Sequence, residues 1–216
     1  MFNGFTPEAI DFLWGIRMNN NRDWFLPHKQ DYVRYLYEPM KALGADLFQP
    51  YLDRSGTILK VSRIYRDTRL KPATPYKESL WICIRPDGQW WSENPCLFFQ
   101  IMPEGVSYGL LWWRPSPAAM TAFRREITRK PEEFLSLLKK AEQDTGIPLT
   151  ANLYKRPKPC EDDRLAPFYA WKDSICCIRE EPVSEAIFTP ALEERVKELL
   201  RQLDPLYTWL CQFTNE

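Results

Sequence analysis

The chain has 216 residues, which is long enough to bury a sizeable hydrophobic core. Its 29 Lys and Arg residues equal its 29 Asp and Glu residues in number, so its formal net charge is zero. A balanced molecule does not attract nucleic acid or an anionic membrane through its overall field, which argues against both as partners. Any anion that the protein binds must therefore be held by a local group of charges.

The first part of the sequence predicts helices. Thr6 is a suitable N-cap and Pro7 a suitable first residue for a helix of about three turns that ends before a run of asparagines. A turn is predicted at 19–25, where the asparagine side chains satisfy backbone groups. Pro27 opens a second helix with its apolar residues on one face. Because Pro39 cannot donate a hydrogen bond to the preceding turn, we expect a bend or a break there.

The sequence from 57 to about 113 has an extended pattern. The runs LWICIRPDG and CLFFQIMPEGVSYGLLWW contain β-prone apolar residues divided by Pro-Asp-Gly and Pro-Glu-Gly turns. Helices are predicted to begin at Ser116 and Pro131, the second ending near Gly146, and an irregular, Pro-rich stretch follows at 147–173. A strand at SICCIRE and an amphipathic helix at TPALEERVKELLRQL complete the chain.

This order of elements predicts a single α+β domain over residues 1–216. Helices come first, then strands, then helices, one strand and a final helix, and such segregation is typical of a mostly antiparallel sheet. We expect the N-terminal, middle and C-terminal helices to pack against that sheet. The N-terminus has no basic segment before an apolar run, and no stretch approaches the ~20 apolar residues of a membrane span, so we expect a cytoplasmic protein with no membrane partner.

The segment 60–77, KVSRIYRDTRLKPATPYK, gathers six Lys and Arg residues around one acid, Asp67. In either an extended or a helical conformation, at least two guanidinium groups lie near that carboxylate. Arginine grips phosphate or carboxylate with two parallel hydrogen bonds, so the segment predicts an anion site. The alternative is a structural Arg and Asp network that pins an irregular segment to the sheet, with Pro72 and Pro75 fixing the turn. The predicted ligand-binding residues are Arg63, Arg66, Asp67, Arg69, Tyr76 and Lys77.

Three stretches of the sequence occur in a recognisable order: GFTPEAIDFLWGIRMNNNRDWF, then SRIYRDTR followed by TPYK, then PEGVSYGLLWW leading into AFRREI. They resemble an uncharacterised bacterial family, domain of unknown function 2461, over about residues 2–180. The resemblance implies a single α+β domain in a soluble protein, with no established activity, cofactor or partner. This chain has LKPA where the family usually carries an aromatic residue and a Ser-Lys-Asp-Lys type insert. A lid or a phosphate contact made by that insert would be missing here.

The histidine, the tryptophan pairs and the cysteines give weaker indications of a functional site. The only histidine, His28, has no Ser, Cys or paired acid in a recognisable relation to it, which argues against a catalytic triad. The tryptophan pairs at 90–91 and 112–113 suggest an aromatic platform, but neighbours on a strand face opposite ways, so core packing is the simpler interpretation. The six cysteines have no C-x-x-C pair and no His at ligand spacing, so we expect reduced, buried thiols and no metal site.

The sequence favours a cytoplasmic protein that binds a phosphate- or carboxylate-bearing small molecule through residues 63–77. The alternative is a protein-interaction or adaptor domain with no catalytic activity, in which exposed aromatic residues form the interface. No P-loop and no G-x-G-x-x-G motif is present. The sequence identifies no cofactor, no reaction and no oligomeric state, and it does not decide whether the protein is an enzyme.

Overall fold

The structure is a computed structural model that describes residues 1–67, 69, 74–88 and 91–214, with the backbone only at Trp91. It contains one antiparallel sheet together with helices, which confirms the predicted α+β class. The strands are β1 Thr57–Val61, β2 Leu80–Pro86, β3 Cys96–Met102, β4 Gly105–Trp112, β5 Thr150–Leu153 and β6 Trp171–Pro182. The helices are α1 Pro7–Met18, α2 Arg22–Phe25, α3 Lys29–Asp31, α4 Glu38–Phe48, α5 Pro117–Arg129, α6 Pro131–Thr145, α7 Ala166–Tyr169 and α8 Ala191–Cys211. A π-helical segment, Tyr32–Tyr37, joins α3 to α4, and short 3₁₀ turns lie at Gln49–Tyr51, Trp91–Glu93 and Glu185–Phe188.

The sheet has the strand order β1-β2-β3-β4-β6-β5. The sequence predicts irregular structure at 147–173, and this prediction is wrong at the edge strand β5, at the short helix α7 and at the first residues of β6. The register of β5 against β6 shifts on both sides of Asn152. Because the pairing is irregular, the sequence of β5 does not show the alternation of apolar and polar residues by which a strand is predicted. Asn152 donates from Nδ2 to Oδ1 of Asp173 at 2.7 Å, which fixes the strand by a polar contact.

The chain divides into two compact units, each made from three separate stretches. Unit 1 contains Met1–Ile84, Phe98–Tyr108 and Glu180–Lys197, and unit 2 contains Arg85–Leu97, Gly109–Arg179 and Glu198–Glu216. Within unit 1, α4 packs against β1, and its Gly44 lets the side chain of Val61 approach the helix backbone. Within unit 2, helix α5 packs against β4 and β6 through a cluster of aromatic rings that also receives α6 and α8. That cluster comprises Trp112, Phe123, Phe134, Trp171, Trp209 and Phe213.

The second predicted helix is interrupted before Pro39, as its sequence predicts. The helix begins at Lys29 rather than at Pro27. After the three residues of α3 comes the π-helical segment Tyr32–Tyr37, and α4 starts at Glu38. A π-helical turn accommodates an extra residue per turn, and here the segment ends two residues before Pro39, which has no N–H to donate.

The turn predicted at 19–25 is wrong in part, because the short helix α2 forms within it. Asn21 begins this helix, and its Oδ1 accepts a hydrogen bond from the backbone N–H of Trp24 at 2.9 Å. Asparagine is a strong N-cap residue, so the same asparagine run that ends α1 also starts the next helical turn.

All six cysteines are free thiols. Cys83, Cys96 and Cys177 are buried as expected, whereas Cys160, Cys176 and Cys211 are partly exposed. Burial raises the pKa of the Cys177 thiol to about 11, so this thiol stays protonated at neutral pH.

Candidate functional site

The two ends of the cationic segment lie side by side in unit 1. Tyr65 and Tyr76 form an isolated antiparallel bridge. On either side of it, the backbone N–H of Arg66 donates to the carbonyl of Pro75 at 2.9 Å, and that of Lys77 donates to the carbonyl of Ile64 at 2.7 Å. These backbone hydrogen bonds bring cationic side chains from residues 63–66 close to Lys77.

Asn20 and Phe25 anchor the paired backbone of residues 64–66 and 75–77. The side chain of Asn20 pairs with the backbone of Tyr76 in both directions, as a donor to its carbonyl and an acceptor from its N–H, each at 3.0 Å. The ring of Tyr76 stacks on Phe25 with 4.2 Å between centroids, and Tyr76 is only 6% exposed. Burial raises the pKa of its phenol. Tyr76, predicted as a ligand-binding residue, therefore lies in the hydrophobic core and positions the backbone beside Lys77.

Asp67 and Arg69 form a self-contained pair. The Asp67 carboxylate accepts from the Arg69 guanidinium at 2.9 Å and 2.6 Å, and also from the Arg69 backbone N–H at 3.1 Å. These hydrogen bonds lower the pKa of Asp67 to about 2. The Arg69 side chain is 87% exposed, and among the described residues its hydrogen-bond partner is Asp67. Asp67 thus holds an arginine in place, as predicted, but the two charges neutralise each other.

Arg66 shares its carboxylate partner with a second arginine. Its Nη1 donates to Oγ1 of Thr74 at 3.2 Å, and its Nη2 lies 3.6 Å from Oε1 of Glu78. The other oxygen of Glu78 accepts from Nε of Arg17 at 3.1 Å. Arg17 in turn also pairs with Glu104. The Glu78 carboxylate is therefore shared by two guanidinium groups, so its single negative charge does not fully neutralise both of them.

Lys77 is held by a backbone carbonyl rather than by a carboxylate. Its Nζ donates to the carbonyl oxygen of Arg63 at 2.6 Å and lies 5.8 Å from the centre of the Trp81 ring. It forms no ion pair with any carboxylate in the described part of the chain. Burial lowers the pKa of Lys77, and the nearby positive charges of Arg66 and Arg63 lower it further. The amine is partly buried among cations that disfavour its protonation.

Positive charge is in excess around Lys77. Within the residues that the structure describes, the connected group contains the cations of Arg17, Arg66 and Lys77 and the carboxylates of Glu78 and Glu104. The exposed side chain of Arg63 adds a further cation, and it has no ion-pair partner among these residues. Such a group can accept an anion, since an added negative charge offsets repulsion among the cations.

Several of the residues around Lys77 were not predicted from the sequence. Thr74 lies within the cationic segment, and Glu78 and Trp81 follow directly after it in the chain. Arg17 and Glu104 lie far from it in the chain, and no local pattern connects them to it. Lys71, Pro72 and the LKPA stretch fall outside the described residues.

The remaining candidates have structural contacts. His28 stacks on Trp24 with 4.1 Å between ring centroids, and its Nδ1 lies 2.7 Å from the carbonyl oxygen of Trp24. Trp112, the last residue of β4, is buried, and the next residue, Trp113, is 40% exposed, so the pair does not present two rings to one surface. Trp90 and the side chain of Trp91 lie outside the described residues. Over the described ranges, no three His, Cys, Asp or Glu side chains come together in a metal-binding arrangement.

The family described as "Conserved hypothetical protein (DUF2461)" matches residues 8–209. The chain belongs to this family. The match confirms the resemblance predicted from the sequence motifs and covers nearly the whole chain. A comparison of this DUF2461 chain with curated proteins gives no match. None of the helices among the described residues combines the length and the apolar character that crossing a membrane requires.

Proposed function

We propose that this DUF2461 protein binds a small molecule that carries a phosphate or carboxylate group, and that Arg63, Arg66 and Lys77 hold that group. The observation that carries the proposal is the excess of positive charge around Lys77, which lacks a carboxylate partner in the described part of the chain. Cations that are fixed close together repel one another, and a bound anion relieves that repulsion.

The three side chains have complementary roles in this proposal. Arginine offers a planar fork that fits two oxygen atoms of one anion, and lysine offers a compact single charge. The Thr74 hydroxyl, which accepts from Arg66, orients that guanidinium. Of the other predicted ligand-binding residues, Asp67 restrains Arg69, and Tyr76 fixes the backbone next to Lys77. A cytoplasmic location is part of the same proposal.

Inorganic phosphate is the simplest probe of the anion site. We expect phosphate to raise the free energy of unfolding of the wild-type protein, by about 2.7 kcal/mol when its concentration is 100 times its dissociation constant. Isothermal calorimetry and thermal denaturation at constant ionic strength measure the binding and the stabilisation separately.

Two arginine variants from the same segment provide a matched comparison. Arg66→Gln removes a cation next to Lys77 and should weaken phosphate binding strongly. Arg69→Gln removes a cation that Asp67 already neutralises and should leave the dissociation constant nearly unchanged. Equal losses in the two variants would contradict the assignment, because a nonspecific charge effect would treat both arginines alike.

The adaptor alternative is favoured by one separate observation. Met18 is 74% exposed and Trp14, one turn earlier on α1, is 39% exposed. Tryptophan and methionine are enriched in protein interfaces. A denaturation midpoint that does not respond over the whole phosphate titration would favour the adaptor function over the anion site.

A further inference from the structure

Lys77 differs in its contacts from the lysines that form ion pairs. Lys140 and Lys197 each pair with a carboxylate one helical turn away, at Asp144 and Glu193 respectively. Lys77 has a backbone carbonyl and an indole ring in place of a carboxylate. A carboxylate stabilises the ammonium form of a lysine, whereas neighbouring guanidinium groups and an apolar ring do not.

We propose that Lys77 is a nucleophilic amine that forms an imine with the aldehyde or ketone group of a compound whose phosphate or carboxylate group is held by Arg63 and Arg66. This inference rests on the proposed anion site and adds a reaction to it. The supporting geometry is the backbone pairing that brings residues 64–66 beside residues 75–77, the 2.6 Å hydrogen bond from Nζ to the backbone carbonyl of Arg63, and the Trp81 ring beside the amine.

The reaction requires the neutral form of the Lys77 amine, whereas its ammonium form contacts the anion in the proposed binding site, so the reaction proceeds through the fraction of Lys77 that has lost its proton. Burial and the charges of Arg66 and Arg63 lower the pKa of Lys77, which increases the fraction of neutral amine at a given pH. The Nζ lone pair attacks the carbonyl carbon, the C=O π electrons move to oxygen, and a proton passes from nitrogen to that oxygen to give a carbinolamine. Loss of the hydroxyl group as water, after protonation by solvent, leaves the protonated imine. The step is a condensation and needs no oxidant or reductant.

The arginines also explain why an anionic carbonyl compound is the expected substrate class. A phosphate or carboxylate bound by Arg63 and Arg66 offsets the two charges that the protonated imine would otherwise face. Binding also holds the carbonyl group close to Nζ, which converts an encounter into an intramolecular reaction. A neutral aldehyde has neither advantage at this position.

Reductive trapping tests the inference directly. The full-length protein is treated with pyridoxal 5′-phosphate, an aldehyde that carries a phosphate, and imines are reduced with sodium borohydride and mapped by peptide mass spectrometry. We expect Lys77 to be labelled before the exposed Lys60, which lies on β1 in the same unit.

Inorganic phosphate at 100 times its dissociation constant should slow the labelling of Lys77 by roughly 100-fold, since it leaves only about one site in 100 free. Pyridoxal, which lacks the phosphate, should label Lys77 no faster than it labels Lys60.

The Lys77→Arg variant tests whether Lys77 accounts for the fast labelling. The rapid, phosphate-protected label should disappear from the variant while the slow labelling of Lys60 continues, and phosphate binding itself is measured by calorimetry on the wild-type protein. If phosphate binds but Lys77 is labelled no faster than Lys60, the imine inference is wrong and the anion site stands. If Lys77 reacts rapidly with pyridoxal and pyridoxal 5′-phosphate alike, and phosphate does not protect it, the anionic substrate class and the anion site are both wrong.

Discussion

At the scale of single residues, the contacts of a cation decide its function more than its place in the sequence. Arg66 and Arg69 are three positions apart, yet Arg69 is neutralised by Asp67 and Arg66 shares Glu78 with Arg17. The sequence correctly pairs Asp67 with an arginine, whereas its placement of an anion site in this segment stays a prediction. It does not reveal that Tyr76 is buried, because burial of that ring depends on Phe25, which lies far away in the chain.

The contact between Asp67 and Arg69 recurs elsewhere in the protein. Asp162 accepts from the side chain and from the backbone N–H of Arg164 in the same pattern, again two residues apart. Both pairs lie on exposed loops, and in both the arginine lowers the pKa of the aspartate. The Asp-x-Arg spacing thus gives a local ion pair wherever the chain allows the side chains to turn back, which argues for a structural role of Asp67.

The first residue-scale prediction concerns the titration of Asp67. We expect a pKa of about 2 for its carboxyl group, and Arg69→Gln should raise that pKa toward the ordinary value of 3.8. Because the folded-state pKa is lowered, the pair stabilises the fold above about pH 3.8 and loses this contribution as the pH falls toward 2. Carbon-detected NMR titration measures the shift. Asp162 is the internal control, since Arg69→Gln should leave its titration unchanged, and an Asp67 pKa insensitive to the substitution would show that the pair does not form.

At the scale of elements, the sequence predicts those parts of the fold whose patterns are local. Helix α5 begins at Pro117 with the predicted Ser116 as its N-cap, α6 begins at the predicted Pro131, and α6 ends before Gly146, which has a left-handed backbone. Strands β2, β3 and β4 also follow the apolar runs at 80–113, and β1 lies within the region of predicted extended pattern. The sequence does not predict β5, because that strand is short, polar and defined by its pairing with β6.

Close backbone approach between β4 and β6 gives an element-scale prediction. Gly109 has φ of +147°, and a Cβ atom added there would lie 2.1 Å from the carbonyl oxygen of Cys177 on β6. The partner is backbone and cannot move aside, so Gly109→Ala combines backbone strain with overpacking and should cost about 3 kcal/mol of unfolding free energy. Urea denaturation measures it.

Gly88→Ala is the control for this substitution. Among the described residues beyond its chain neighbours, an added Cβ at Gly88 meets the side-chain amide of Asn94, at 3.3 Å, and should change stability by no more than about 0.5 kcal/mol. Similar losses in the two variants would mean that the approach of β4 to β6 is not what makes Gly109 necessary.

At the scale of the whole molecule, the balanced charge and the division into two units set the remaining expectations. The net charge of zero gives no long-range attraction for anions, so phosphate binding should depend on the local group around Lys77. The sequence predicts a single domain because it contains no linker. Neither compact unit is a continuous piece of chain, and strands β2, β3, β4 and β6 each contribute residues to both. Because these strands run through both units, a strand that becomes disordered in one unit also disrupts the residues of the same strand that belong to the other unit.

We therefore predict that the protein unfolds as one cooperative domain. Calorimetry should show a single transition with an enthalpy of about 150 kcal/mol near 60 °C, from about 0.7 kcal/mol per residue, and the van't Hoff enthalpy should equal the calorimetric enthalpy. If the units unfold independently, two components of roughly half that size will appear, because the units divide the chain almost equally. The Gly109→Ala variant sharpens the test, since Gly109 belongs to unit 2. Cooperative unfolding requires that it lower the protection of slowly exchanging core amides in both units by the same free energy, whereas independent units would leave unit 1 unaffected.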